Sequence, residues 1–131
     1  MFAYLEKEEV IETNRKITFF YEQTHFVIAD ANLEHYLESV KHYAEDIEDA
    51  EDRLFKKAAY LLYHLTYDAH VFTDGNKRTA LSATAAFLEL NQHVFDIKND
   101  EEMAKIMKDT AEGKNSVSFV FRWLKDVARK K

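Results

Sequence analysis

Two glycines and no proline in 131 residues leave the chain almost without the residues that most readily turn a backbone. A chain so short of turn makers is expected to run as helices joined by short polar connections, an all-α bundle. Periodicity points the same way. Residues from about Lys7 to Gln23 are rich in helix formers, with Val10, Ile17, Phe20 and Tyr21 toward one side. HFVIA, residues 25–29, is short and apolar enough to lie extended, and Asp30 follows as a helix N-cap. Leu33, Tyr36, Leu37 and Val40 then fall on one helical face. The strongest repeat is Leu54, Phe55, Ala58, Leu62, Leu65 and Ala69. Ahead of it lies EDIEDAED, Glu45 to Asp52, read as a solvated connection or helix start in preference to a docking surface for a basic partner.

The second half repeats the pattern. KRTALSATAAFLELNQ is a long helical stretch dense in small residues (Ala80, Ser82, Ala83, Thr84, Ala85, Ala86), suited to a central helix that neighbours approach from several sides. Asn91 and Gln92 end it, and HVFDI makes a short apolar crossing. Asn99 with Glu102 reads as a capping box, Gly113 as a left-handed helix stop, and Ser116 as the cap of a last helix carrying Val117, Val120, Phe121, Leu124 and Val127 inward. Trp123 is expected in the core, and Arg129, Lys130 and Lys131 complement the negative end of that helix.

The totals exclude several classes of function. A composition of 47% hydrophobic and 32% charged residues suits one soluble globular domain over residues 1–131. Without cysteine there is neither a disulfide framework nor thiolate chemistry. No run approaches the roughly 18 apolar residues of a membrane span, and LEKEE near the start is unlike the core of a signal peptide, so a cytoplasmic protein with no membrane partner is expected. Eighteen basic against 24 acidic side chains give a net charge of −6, whose field repels nucleic-acid backbones. Any phosphate this chain holds needs a local site.

HVFTDGNKRTAL, residues 70–81, has the makings of one. As structure alone, TDGN closes one helix and opens the next, with Asp74 as N-cap and Gly75 or Asn76 tolerating positive φ. That leaves Lys77 and Arg78 unexplained. Both fall in the first turn of the new helix, where the macrodipole is already positive and each cation costs roughly 0.3–1 kcal/mol. A bound polyanion reverses that sign, because free amides at a helix start, a glycine and two cations together make a phosphate cradle. Asp74 beside it makes sense with a hard divalent cation such as Mg²⁺ between carboxylate and phosphates. His70 is the nearby group suited to taking a proton from a hydroxyl at neutral pH. The spacing is that of neither a P-loop nor a GxGxxG turn. His64 reads as a buried or rim histidine, and His25, His35, His42 and His93 lack metal-ligand spacing.

The same stretch strongly resembles the Fic/Doc signature HxFx[D/E]GN[G/K]R, with His70, Phe72, Asp74, Asn76 and Arg78 filling its defining positions. Within that superfamily it is similar to the Doc, or death-on-curing, branch. Lys77 stands where Fic AMP-transferases carry glycine, and Leu81 where they usually carry a second arginine. Likeness extends through FLELNQHVFD to AEGKNSVSFV and thins ahead of Leu54, where HFVIADANLEHYLESVKHYAEDIEDAED replaces the Gly- and Pro-containing segment usual before the substrate-positioning flap.

The resemblance implies a compact Fic/Doc-type helical bundle around a central helix, with room for a short extended flap. It implies His70 as general base, Phe72 as an anchor in the core, Asp74 as Mg²⁺ ligand, and Gly75, Asn76, Lys77 and Arg78 as the anion cradle, Arg78 being the main phosphate clamp. Thr79 is read as structural, a cap, in preference to a phosphate contact. It further implies a kinase-type transferase that uses Mg²⁺ and ATP to modify a Ser/Thr hydroxyl of a target protein, elongation factor Tu, and so arrests translation. The inhibitory [S/T]xxxE[G/N] helix of many Fic proteins has no match: Glu112 precedes Gly113, but Lys108 stands four residues before it. A separate antitoxin is the implied partner. Two alternatives stay open at this point, transfer of AMP or another nucleotide, and a non-catalytic nucleotide-binding regulatory module.

Overall fold

The computed structural model describes residues 1–131. Its elements are α1 (Lys7–Phe20), α2 (Asp30–Ser39), α3 (Ala50–Tyr67), α4 (Asn76–Leu90), β1 (His93–Phe95), α5 (Asp100–Ala111), α6 (Val117–Val127) and β2 (Ala128–Lys130). The expected all-α bundle is present. α3 packs against α4, α6, α5 and α2, while α4 adds contacts to α1 and β1, so the two helices form the centre together. No helix is long and apolar enough to cross a membrane.

α3 earns its place by sequence: Leu54, Phe55, Ala58, Leu62, Leu65 and Ala69 are all buried, with Ala59 and Leu61 beside them. The small residues of α4 work as expected only in part. Ala80, Ala83 and Thr84 are buried, whereas Ser82 and Ala86 are exposed, so close approach happens on one side of that helix. The acidic run divides in two. Asp49 caps α3 by accepting from the Asp52 amide at 3.0 Å, and the earlier Glu45 reaches the buried Lys57 ammonium at 3.2 Å. Lys57 also donates to the Val40 and Lys41 carbonyls at 2.9 and 3.0 Å, closing the end of α2, which is how a fully buried ammonium is satisfied.

Several ends differ from expectation. Asp30 is the first residue of α2, not its cap; the cap is Ala29, and the Asp30 carboxylate pairs with Lys7 Nζ at 3.1 Å. Asn99 accepts from the Glu102 amide at 2.9 Å, but the reciprocal half of a capping box is not formed. The C-terminal basic residues do not trail a helix end: Ala128–Lys130 pairs antiparallel with His93–Phe95, putting Val94 opposite Arg129. HVFDI is thus a crossing whose first half is a strand. Ser116 caps α6 as read, accepting from the Phe119 amide at 3.1 Å, and Gly113 takes φ +76 after α5.

α1 holds the largest departure. Val10 is buried, but Phe19 and Phe20 are 82% and 77% exposed, and the residues turned inward beside Val10 are Asn14 and Thr18. The Thr18 hydroxyl is satisfied within α1, donating to the Asn14 and Arg15 carbonyls, whereas the Asn14 amide reaches out of the helix to the loop before α4.

Burial raises the pKa of Tyr4, Tyr36, Tyr43 and Tyr63, and Tyr36 is pushed up to about 12 by burial and then by the Asp68 carboxylate. A phenol whose pKa is higher folded than unfolded keeps its full stabilising share below about pH 10 and loses it as pH rises toward 12. Urea midpoints should therefore fall over that window, in step with tyrosinate absorbance. Midpoints flat across it would contradict the raised values.

Candidate active site

The loop between α3 and α4 is built on a strained turn. His70 is exposed and holds φ +46, a left-handed conformation costly for a residue with a Cβ. Asn32, from α2, fixes the peptide just before it by donating to the Ala69 carbonyl at 2.7 Å. Two residues earlier, Asp68 accepts from His64 Nδ1 at 2.9 Å, and the His64 ring stacks on Tyr36, so His64 is the rim histidine expected from its place on α3. Phe72 is buried, as a core anchor should be. The segment HFVIA lies beside the loop as a short extended flap: Val27 bridges Phe72, Ile28 N–H donates to the Val71 carbonyl at 2.8 Å, and Thr73 N–H to the Phe26 carbonyl at 3.0 Å.

The turn into α4 differs from the capped helix start that the sequence suggests. The N-cap is Gly75, at φ +77, and no side chain caps the helix. Asp74 instead turns its Oδ2 to the Thr24 amide at 3.0 Å, while its carbonyl accepts from Asn14 Nδ2 at 2.8 Å. Asn76 spends its side chain on the loop, accepting from the Phe72 amide at 3.2 Å and donating to the Phe72 carbonyl at 2.7 Å. What Asn76 keeps for an anion is its backbone N–H and the second Nδ2 hydrogen. Thr79 is buried and caps nothing; its hydroxyl accepts from Asn14 Nδ2 at 3.0 Å. The first intrahelical bond runs from Thr79 N–H to the Gly75 carbonyl, leaving the amides of residues 76–78 in the first turn without helical acceptors.

Those amides open on a cleft of about 540 Å³ lined by Gly75, Asn76, Lys77, Arg78 and Leu81 on one side and by Met103 and Met107 of α5 opposite. Lys77 and Arg78 are exposed and form no ion pair within the chain. The Arg78 guanidinium lies 3.8 Å from the centre of the Tyr21 ring, which fixes its plane and leaves its N–H edge free. The structure thus brings Gly75, Asn76, Lys77 and Arg78 to one cleft, and leaves His70 and Asp74 on the adjoining loop, outside its lining. Two cations, unpaired amides and an apolar wall make a site that can hold an anion with an uncharged part attached.

Gly75 is required here by geometry. A Cβ built on it would lie 3.2 Å from Asn14 Nδ2 at a backbone angle that side chains rarely adopt. Gly75→Ala is expected to cost about 1–2 kcal/mol of stability, read from thermal or urea unfolding. A variant as stable as the parent would mean that the turn relaxes to another conformation.

Sequence reading missed Asn14, Tyr21 and Thr24. Asn14 carried one available signal, an amide at the position where the α1 stripe calls for an apolar residue between Val10 and Ile17. Tyr21 and Thr24 carried none, since their roles arise from where α1 ends.

The comparisons agree with this geometry. A family model, Fic/DOC, matches residues 4–88, well over half of the chain, so the chain belongs to the Fic/DOC family, whose members are typically transferases. The match begins in the segment before α1, well ahead of Leu54 where the motif-based likeness thins, and ends within α4. No curated protein matches the chain.

Proposed function

We propose that the chain is a Doc-type phosphotransferase, a cytoplasmic toxin that transfers the γ-phosphoryl group of ATP to a Ser/Thr hydroxyl of a target protein, elongation factor Tu, and that a separate antitoxin holds it in check. The observation that carries the reading is the pairing of Lys77 with Leu81 on one cleft. Fic AMP-transferases resemble this chain in the rest of the motif but differ at both positions.

The residues present fit a nucleotide triphosphate with its metal. The uncapped first turn of α4, Gly75 at positive φ, and the unpaired Lys77 and Arg78 suit the phosphates. Leu81, Met103 and Met107 suit the uncharged remainder. Asp74 keeps one carboxylate oxygen beyond its bond to Thr24. A single carboxylate is what Mg²⁺ commonly takes from a protein when phosphates and water complete its shell. Asp74 would hold that ion, which when bound supplies neutralisation of phosphate charge.

The chain's own part in the reaction is positioning and proton movement. His70 accepts the proton of the target hydroxyl at a ring nitrogen as the hydroxyl oxygen bonds to the γ-phosphorus. The bond from that phosphorus to the β–γ bridging oxygen breaks, and ADP leaves. Charge spread over the phosphoryl oxygens meets the first-turn amides and the Lys77 and Arg78 cations, which are in place before the reaction begins.

Expression of this chain without its antitoxin in a bacterial host is expected to arrest growth, and His70→Ala to restore it. A harmless parent chain, or arrest that persists in His70→Ala, would contradict the reading.

A further inference from the structure

Asn14 sits fully buried in α1 with three polar partners, each on a segment that matters to the site. Its Nδ2 donates to the Asp74 carbonyl at 2.8 Å and to Thr79 Oγ1 at 3.0 Å. Its Oδ1 lies 2.8 Å from His25 Nδ1, so that ring nitrogen carries a hydrogen and donates. His25 is the first residue of the flap stretch HFVIA, and the amide of Thr24 just before it is the one bound to Asp74 Oδ2.

We infer that Asn14 is a positioning residue that locks the flap to the phosphate loop, holding the acceptor side of the site in register with the donor side. The inference rests on the proposed reading for which side is donor and which acceptor; the lock itself does not. Apart from the Ala29 carbonyl, which accepts from Asn32 and Leu33 as α2 begins, the flap's backbone bonds and its His25 bond end on residues 71–74 or on Asn14: Ile28 and Ala29 amides on the Val71 carbonyl, the Phe26 carbonyl on the Thr73 amide, the Thr24 amide on Asp74. The loop in turn reaches α1 through Asn14. The job needs a short planar group with two donor hydrogens and one acceptor. Asparagine supplies that; aspartate would lack the donors, and leucine would leave the Asp74 carbonyl and the His25 N–H without partners.

A merely structural Asn14 would loosen the whole fold when replaced, so the test is local. Amide hydrogen exchange is followed on the free chain for Asn14→Ala, for His25→Phe, which leaves both loop bonds of Asn14 intact, and for Asn91→Ala. Asn91→Ala removes a side chain that likewise bridges distant segments, Ala3 and Phe87, away from the flap. Thr24, Ile28, Ala29 and Thr73 amides are expected to exchange on the order of tenfold faster in Asn14→Ala and His25→Phe, with the buried turns of α3 unchanged in His25→Phe. Asn91→Ala should leave the flap amides alone. Flap exchange unaltered in His25→Phe, or raised equally by Asn91→Ala, would overturn the inference.

In transfer assays His25→Phe should raise the KM for the acceptor protein while nucleotide affinity stays within a few fold; an equal loss on both sides would also overturn it. Because exchange is read without nucleotide or acceptor, failure of the transferase reading leaves that result standing.

Discussion

His70→Ala is expected to lower transfer by roughly 100- to 10,000-fold, the range a positioned general base contributes, while nucleotide affinity stays within a few fold. The separation follows from where the structure puts the residue. His70 is exposed on the loop and takes no part in lining the cleft formed by Gly75 to Arg78, so its removal leaves that lining in place. Its backbone is held from both sides, by Asn32 on the Ala69 carbonyl and by the flap on Val71, so the loop keeps its course when the ring is lost. Single-turnover transfer and calorimetric nucleotide binding, measured on the same preparation, check the two halves. Surviving transfer would remove His70 as the base, and collapse of binding would move it into the nucleotide site.

Arg78→Ala should do the opposite and act first on affinity. A charge-assisted hydrogen bond to a phosphate is worth about 1.5–3 kcal/mol, a loss of roughly 10- to 150-fold. Arg78 is suited to the upper part of that range, because the Tyr21 ring against its face sets the guanidinium before any ligand arrives. Lysine should not substitute, since it lacks both the flat face that stacks on Tyr21 and the paired N–H edge. Binding in Arg78→Ala equal to the parent would take Arg78 out of the phosphate site. It would leave Lys77 and the first-turn amides as the whole cradle.

The bundle was legible wherever burial follows a single period. Leu54 to Ala69 reads as one helical face because α3 is surrounded by partners and buries that face without interruption, and Ser116 and Asn99 read as caps because their side chains bond locally. That Gly75, Asn76, Lys77 and Arg78 share one cleft was legible for a different reason, since contiguous residues at one helix start are neighbours by construction. What escaped is what contiguity cannot encode. Asn14 is a polar residue on the inward side of α1 because the loop 60 residues later needs a partner, and a stripe rule turns Phe20 inward instead. The strand at Ala128–Lys130 exists only because β1 lies beside it. Asp74 has the residue type of a cap, yet the Thr24 amide, brought in by the flap, claims its carboxylate.

Label transfer distinguishes which phosphate leaves the nucleotide. Purified chain with Mg²⁺ and elongation factor Tu, or bacterial lysate, is supplied with ATP labelled at the γ-phosphate or at the α-phosphate. Label should reach protein from the γ position alone, and only with His70 intact. Label arriving from the α position would make the chain a nucleotidyl transferase in spite of Lys77 and Leu81, and would contradict the account.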